Sequence, residues 1–198
     1  MVFEPLTRDY AGYIFDCDGT LADSMVVHYR AWLSALAEHG ASFDFHWDLF
    51  TSRAGMSTPN TVRELNQQFG LALDPDAVSL SQRIEYERFL ETVQPVAEVV
   101  ALARRVAATH PVSVASGSER KVVLRTLELI GLGQTFPIVV TPEDVLHGKP
   151  APDMFLLAAE RMGVPARDCV VFEDSVLGLE AAKRAGMASV LVRPPNVR

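Results

Sequence analysis

Long apolar runs, basic stripes and a cysteine framework are what this 198-residue chain lacks. No stretch approaches the roughly 20 apolar residues that span a bilayer, and Met1-Val2-Phe3-Glu4-Pro5 offers neither a basic leader region nor an apolar one. The expectation is a cytoplasmic protein with no membrane partner. Only two cysteines occur, Cys17 and Cys169, each inside an apolar run, which points to buried free thiols in a reducing compartment rather than to a disulfide scaffold. A net charge of -7 with no basic stripe argues against a nucleic-acid partner held by phosphate contacts, although a local positive site is compatible with it. Internal repeats, low-complexity tracts and long flexible linkers are missing too. What remains is 48% hydrophobic, ordinary for a globular chain, with room for one average domain and an insertion.

The stretch Gly12-Tyr13-Ile14-Phe15-Asp16-Cys17-Asp18-Gly19-Thr20 is an apolar run that stops abruptly at two aspartates and a glycine. A buried strand alternates its side chains, so Asp16 and Asp18 fall on one face at its carboxyl end with Cys17 opposite, and Gly19 lets the chain turn. Two carboxylates so close repel one another unless a cation neutralises them or a proton separates their charge states. Taken by itself the stretch also fits an aspartate-rich turn.

Downstream, Val26, Tyr29, Leu33 and Leu36 recur at helical spacing to about residue 39, with Asp23 or Ser24 as caps and Gly40 as a stop. Further helical stretches are expected at 57–69 and 75–92, the latter opened by Asp74-Pro75. No strand is expected between them. The all-helical block 22–92 reads as a cap inserted into a core formed by 1–21 and 93–198; a helical appendage that merely packs is the plainer alternative. From residue 96 onward, helical periodicity (Val123, Leu127, Ile130; Phe155, Ala159, Met162) alternates with apolar runs. These are Val112 to Ala115, Phe136 to Val140, Cys169 to Phe172 and Ala188 to Val192. That alternation predicts an α/β fold with a parallel sheet covered on both faces.

Three further stretches carry chemistry. Ser116-Gly117-Ser118, after the second run, supplies hydroxyls and amides at a helix start, suited to a phosphate, though a serine cap explains it equally. Lys149 stands just before a proline-initiated helix, where it can offset the repulsion between a carboxylate and a phosphate. Glu173-Asp174-Ser175 ends the fourth run with two more carboxylates, and an oxygen-only donor set beside a phosphate favours a hard cation, magnesium over calcium.

In this order, Asp16-Cys17-Asp18-Gly19-Thr20, Ser116, Lys149-Pro150-Ala151-Pro152-Asp153-Met154-Phe155 and Glu173-Asp174 resemble the four motifs of the haloacid dehalogenase-like superfamily of phosphotransferases. The resemblance implies a Rossmann-like three-layer core, sheet order 3-2-1-4-5, and an inserted α-helical cap. It implies Asp16 as nucleophile, Asp18 as acid and base, and Ser116, Gly117 and Lys149 as phosphate ligands. It also implies Mg2+ held by Asp16, Asp174, the Asp18 carbonyl and Glu173 through water. An acid at Asp18 disfavours dehalogenation.

Asp23-Ser24 and His28-Tyr29-Arg30-Ala31-Trp32 resemble the beta-phosphoglucomutase and sugar-phosphatase branch. A mutase of that branch holds a second phosphate. Here Thr58 takes its arginine position if Gly55 matches the loop glycine, Gln82 or the neighbouring Arg83 stands near a cap lysine, and Glu119 and Arg120 replace a lysine and an asparagine. The expected activity is therefore a phosphatase acting on a small phosphorylated metabolite, of the fructose 1-phosphate or 6-phosphogluconate type. A phosphosugar mutase, a receiver-like module and a non-catalytic phosphosugar binder are the alternatives. His28, Arg53, Gly55, Thr58 and Ser118 are further candidates for the site, and oligomeric state is left open.

Overall fold

The apolar run before Asp16 forms β1 (Gly12–Phe15) in a computed structural model that describes residues 2–193. Met1 and residues 194–198, the ends of the expected core, lie outside the described residues. After a tight turn the chain makes β2 (Ala22–Asp23) and then α1 (Met25–Glu38), α2 (Trp47–Thr51), α3 (Thr58–Phe69) and α4 (Pro75–Phe89). It returns through β3 (Gln94–Pro95), antiparallel to β2, so the helical stretch leaves and re-enters by one short ribbon. There follow α5 (Ala97–Ala107), β4 (Val112–Ala115), α6 (Arg120–Leu129), β5 (Ile138–Val140), α7 (Asp153–Met162), β6 (Cys169–Glu173), α8 (Val176–Arg184) and β7 (Ala188–Leu191).

The large sheet has the order β5-β4-β1-β6-β7 and is parallel throughout. Counted among its own five strands this is the expected 3-2-1-4-5, the labels differing only because the ribbon of β2 and β3 interrupts the numbering. β1, β4 and β6 are buried along their whole length, which is why they read as near-continuous apolar runs. Alternation along β1 sends Tyr13 and Phe15 into a cluster with Val99, Leu102 and Leu127 of α5 and α6, and Ile14 into one with Phe155 and Ala181 of α7 and α8. Cys17 joins the first cluster, on the side away from Ile14, and both cysteines are free and buried.

A third cluster, including Met25, Trp32, Phe45, Phe50, Val62 and Val78, holds α1 to α4 together. The stripe expected for α1 is corrected here: Leu33 is 42% exposed, and the buried positions are Met25, Val27, Ala31, Trp32, Ala35 and Leu36. The helix is buried on two sides, with Val27 and Ala31 in the sheet cluster and Trp32 and Leu36 in the helical one, so a single stripe misreads it. α2 was not expected from the sequence; His46 caps it, Nδ1 accepting from the Leu49 amide at 3.2 Å. The expected 75–92 helix closes at Phe89 and continues as a 3-10 turn, Leu90–Thr92. Asp74 caps α4 as anticipated, accepting from the amides of Asp76 and Ala77. Ser24 precedes α1 but makes no side-chain cap. Among the described residues no helix is long and apolar enough to cross a membrane.

Candidate active site

The carboxyl ends of β1, β4 and β6 deliver Asp16, Ser116 and Glu173 to one place, the switch point where an open parallel sheet binds ligands. Lys149 arrives from the loop before α7 and is buried to 2% exposure. Its Nζ donates to Asp16 Oδ1 at 2.6 Å, Glu173 Oε1 at 2.5 Å and the Ala115 carbonyl at 3.0 Å. All three ammonium hydrogens are thereby used. Glu173 Oε2 accepts from the amide and hydroxyl of Ser175 at 2.9 and 2.8 Å. The same hydroxyl accepts from the Gly178 amide and caps α8.

Asp16, Glu173 and Asp174 each place a carboxylate oxygen within 4.8 Å of the others. Burial pushes Asp16 up to about 8, with the charges of Glu173 and Asp18 adding to it and Lys149 opposing. Burial, Glu173 and Asp16 likewise raise Asp174 well above the ordinary carboxylate range. Burial alone would lower Lys149, but the two carboxylates outweigh it and hold the ammonium above its usual value. One lysine does not balance three carboxylates. A divalent cation would, and a purely oxygen donor set suits a hard one. The turn of Gly19 is packed tightly against this group: a Cβ there would lie 2.1 Å from Asp174 Oδ2, and φ is +79°.

Asp18 faces different neighbours. Its Oδ1 accepts from Ser24 Oγ at 2.7 Å and lies 2.9 Å from His28 Nε2, while Oδ2 accepts from Ser118 Oγ at 2.7 Å. Burial would raise its pKa, but His28, Ser118 and Ser24 together outweigh burial and hold it well below the usual carboxylate range. The Gln82 amide sits 3.2 Å from His28 Nδ1, and donation there leaves the ring proton on Nε2, toward Asp18. The His28 ring stacks on Tyr86 at 3.9 Å with planes 10° apart. The two aspartates are thus shifted in opposite directions, Asp16 upward by burial among carboxylates and Asp18 downward by its donors.

One cleft joins Asp16, Asp18, His28, Ser116, Gly117 and Ser118 to Arg53, Gly55, Thr58, Gln82, Arg83 and Glu119. Ser116 is buried and accepts from the Ser118 amide at 3.1 Å. Gly117 admits the helical block: a Cβ on it would lie 2.5 Å from the Gly55 carbonyl, so two glycines let the loops meet over the site. Lys149, Glu173 and Asp174 are not among the lining residues; Lys149 and Glu173 meet the cleft through the bonds of Lys149 to Asp16 and Glu173. Arg120 does not line the cleft either; its guanidinium donates to the Val139 carbonyl at 3.1 Å and pairs with Asp144. Tyr86 escaped the sequence reading, as did the part Ser24 and Gln82 play beside Asp18 and His28. The available signal was the four-residue spacing that puts Gln82 and Tyr86 on one face of α4.

A parallel α/β sheet carrying a lysine-clamped carboxylate cluster at its switch point, beside a cleft shared with a helical block, is the architecture of an α/β hydrolytic enzyme. The chain belongs to the haloacid dehalogenase-like hydrolase family, whose profile matches residues 10–186. It is 39% identical over 189 residues to the fructose-1-phosphate phosphatase YqaB of Escherichia coli K12, an alignment covering 93% of this chain and 97% of that one. A hydrolase from Pseudomonas syringae superposes with a TM-score of 0.83 at 27% identity, over 90% of this chain and 83% of that one. The beta-phosphoglucomutase of Clostridium difficile gives 0.78 at 22% identity, over 91% and 83%, a likeness of fold.

Proposed function

We propose that this enzyme is a cytoplasmic phosphoric monoester hydrolase that uses Mg2+ to release phosphate from a small sugar phosphate, of the fructose 1-phosphate or 6-phosphogluconate type, through an aspartyl-phosphate on Asp16. The observation that carries the reading is the buried Lys149 ammonium 2.6 Å from Asp16 Oδ1, beside an acidic cluster and at the base of a cleft. The 39% identity to a fructose-1-phosphate phosphatase supports the substrate class.

In this reading Asp16, Asp174, the Asp18 carbonyl and, through water, Glu173 hold the cation, which when bound offsets negative charge on the phosphoryl oxygens. Lys149, Ser116 and the Gly117 amide orient those oxygens. The Asp16 carboxylate attacks phosphorus in line and the bond to the sugar oxygen breaks. Asp18 gives the leaving alkoxide a proton. Its resting environment keeps it ionised, so Asp18 takes this proton from solvent in the cleft before the bond breaks, while His28 Nε2, 2.9 Å away, and the two serine hydroxyls hold its carboxyl in place. Asp18 then takes a proton from the water that opens the acyl phosphate, and Asp16 is regenerated. Residues 22–92 act as the cap that keeps bulk water out, over a core of 1–21 and 93–198.

A panel containing fructose 1-phosphate, 6-phosphogluconate and both glucose phosphates, assayed with and without magnesium, tests this. Magnesium-dependent release of inorganic phosphate is expected. Migration of phosphate between sugar carbons with little release would replace the hydrolase reading by a mutase.

A further inference from the structure

The cleft above Asp16 is lined by two arginines, and both are already engaged by the protein. Arg53 Nε lies 3.6 Å from Glu64 Oε2, its Nη1 donates to the Leu49 carbonyl at 3.2 Å and to Ser52 Oγ at 3.1 Å, and its Nη2 donates to Gln68. Arg83 on α4 lies between two carboxylates: Nε is 3.3 Å from Glu119 Oε2 and Nη1 is 3.7 Å from Glu87 Oε1. Glu87 is shared in turn with Lys121, 3.3 Å away. Glu119 and Lys121 flank the start of α6, so this chain of charges, alternating in sign, bridges the helical block and the sheet layer at the rim of the cleft. Glu119 lines the cleft and its side chain is half exposed.

A phosphate ester bound with its phosphorus at Asp16 extends its remaining atoms along this lining. An uncharged, hydroxyl-bearing remainder finds a carboxylate acceptor in Glu119 and the stem of Arg83. A second phosphate finds a like charge in Glu119, and to gain Arg83 it must displace two carboxylates. The geometry points to Glu119, braced across the boundary by Arg83, as the specificity-determining residue that restricts the site to phosphate monoesters with a neutral polyhydroxy remainder, which selects the fructose 1-phosphate type over the anionic 6-phosphogluconate, and rejects bisphosphates. Selection here works through repulsion of the wrong ligand as much as through attraction of the right one. The inference rests on the reading of Asp16 as the phosphate end of the cleft.

The test compares fructose 1-phosphate with fructose 1,6-bisphosphate in the wild type and in Glu119→Gln, Glu119→Lys and Arg83→Met. It uses kcat/KM for phosphate release and, in the Asp16→Asn background, calorimetric dissociation constants. Wild type should favour the monophosphate by about 100-fold or more, as close like charges demand. Glu119→Gln should narrow that ratio about tenfold, and Glu119→Lys should narrow it further. Unchanged melting temperatures establish that the half-exposed position tolerates the changes. A wild-type ratio near one, or a ratio that neither Glu119 substitution moves, overturns the proposal. So does bisphosphate binding that Arg83→Met weakens, because the arginine would then be leaving its carboxylates for the ligand. If no ester is hydrolysed but the dissociation constants discriminate as stated, the catalytic reading fails and this one stands. If release proceeds without discrimination, the reverse holds, and failure of the monophosphate to bind ends both.

Discussion

Asp16 and Asp18 are two residues apart and differ in almost every neighbour. Asp16 is buried with Glu173 and Asp174 and is answered by one ammonium; Asp18 is answered by two hydroxyls and an imidazole. The proposed roles, nucleophile for Asp16 and proton carrier for Asp18, call for separate environments. Asp16→Asn keeps the volume and removes the nucleophilic charge, so phosphate release should fall at least about 1,000-fold, measured under single turnover. Its far-ultraviolet circular dichroism should match the wild type, since the amide keeps the volume and Lys149 retains its bonds to Glu173 and Ala115. The spacing of these residues was legible along the chain. Ser24 read along the chain as a helix cap, which it does not make; its hydroxyl goes instead to Asp18 across a turn that folds the chain back on itself.

At the scale of elements, two loops position the site. The Gly117 turn after β4 meets the Gly55 loop between α2 and α3, and Gly117→Ala would drive a methyl to 2.5 Å from the Gly55 carbonyl. The helical block should then sit open: kcat/KM should drop by about tenfold or more, while the loop lifts clear and leaves the melting temperature within about 2 °C. The loop from β5 to α7, which carries Lys149, is fastened by Asp144. That carboxylate accepts from the Thr141 amide at 2.9 Å and from Arg161 at 3.0 Å, and pairs with Arg120. Burial would raise its pKa, but the Thr141 amide, Arg161 and the charge of Arg120 outweigh it and depress the value. A depressed carboxylate stabilises the fold fully above its unfolded pKa of about 3.9 and loses that contribution as pH falls through the folded value. Asp144→Asn should therefore cost about 1–2 kcal/mol at pH 7, read from urea unfolding, and progressively less as pH falls below about 3.9.

Across the whole molecule, the helical block and the sheet are not independent bodies of core. Tyr86 and Leu90 at the end of α4, with Val27 and Ala31 of α1, belong to the same cluster as Phe15 and Phe172 of the sheet. Tyr86 is 1% exposed and its hydroxyl lies 3.4 Å from Thr126 Oγ1 on α6. The wild type should unfold in one transition whether followed by far-ultraviolet circular dichroism or by fluorescence of its two tryptophans, Trp32 and Trp47, both in the helical block. Tyr86→Ala should remove about 3–5 kcal/mol, as other aromatic truncations do in cores. With that tie cut, the tryptophan signal should change at lower urea than the circular dichroism.

Sequence by itself determined the five strands of the large sheet and their parallel arrangement, because burial on both faces forces continuous apolar runs, and it marked Asp16, Ser116, Lys149 and Glu173-Asp174; the two-residue β2 and β3 were too short to read. It could not show how α1 divides its faces between two clusters, since a helix buried on two sides has no single period to read. Nor could it place α2, whose five residues are too few for a pattern. Only tertiary structure set Gln82 and Tyr86 on His28, Ser24 and Ser118 on Asp18, and Glu119 against Arg83. Each of those contacts joins residues from separate elements, and the distances between them exist only once the sheet has brought the elements to one edge.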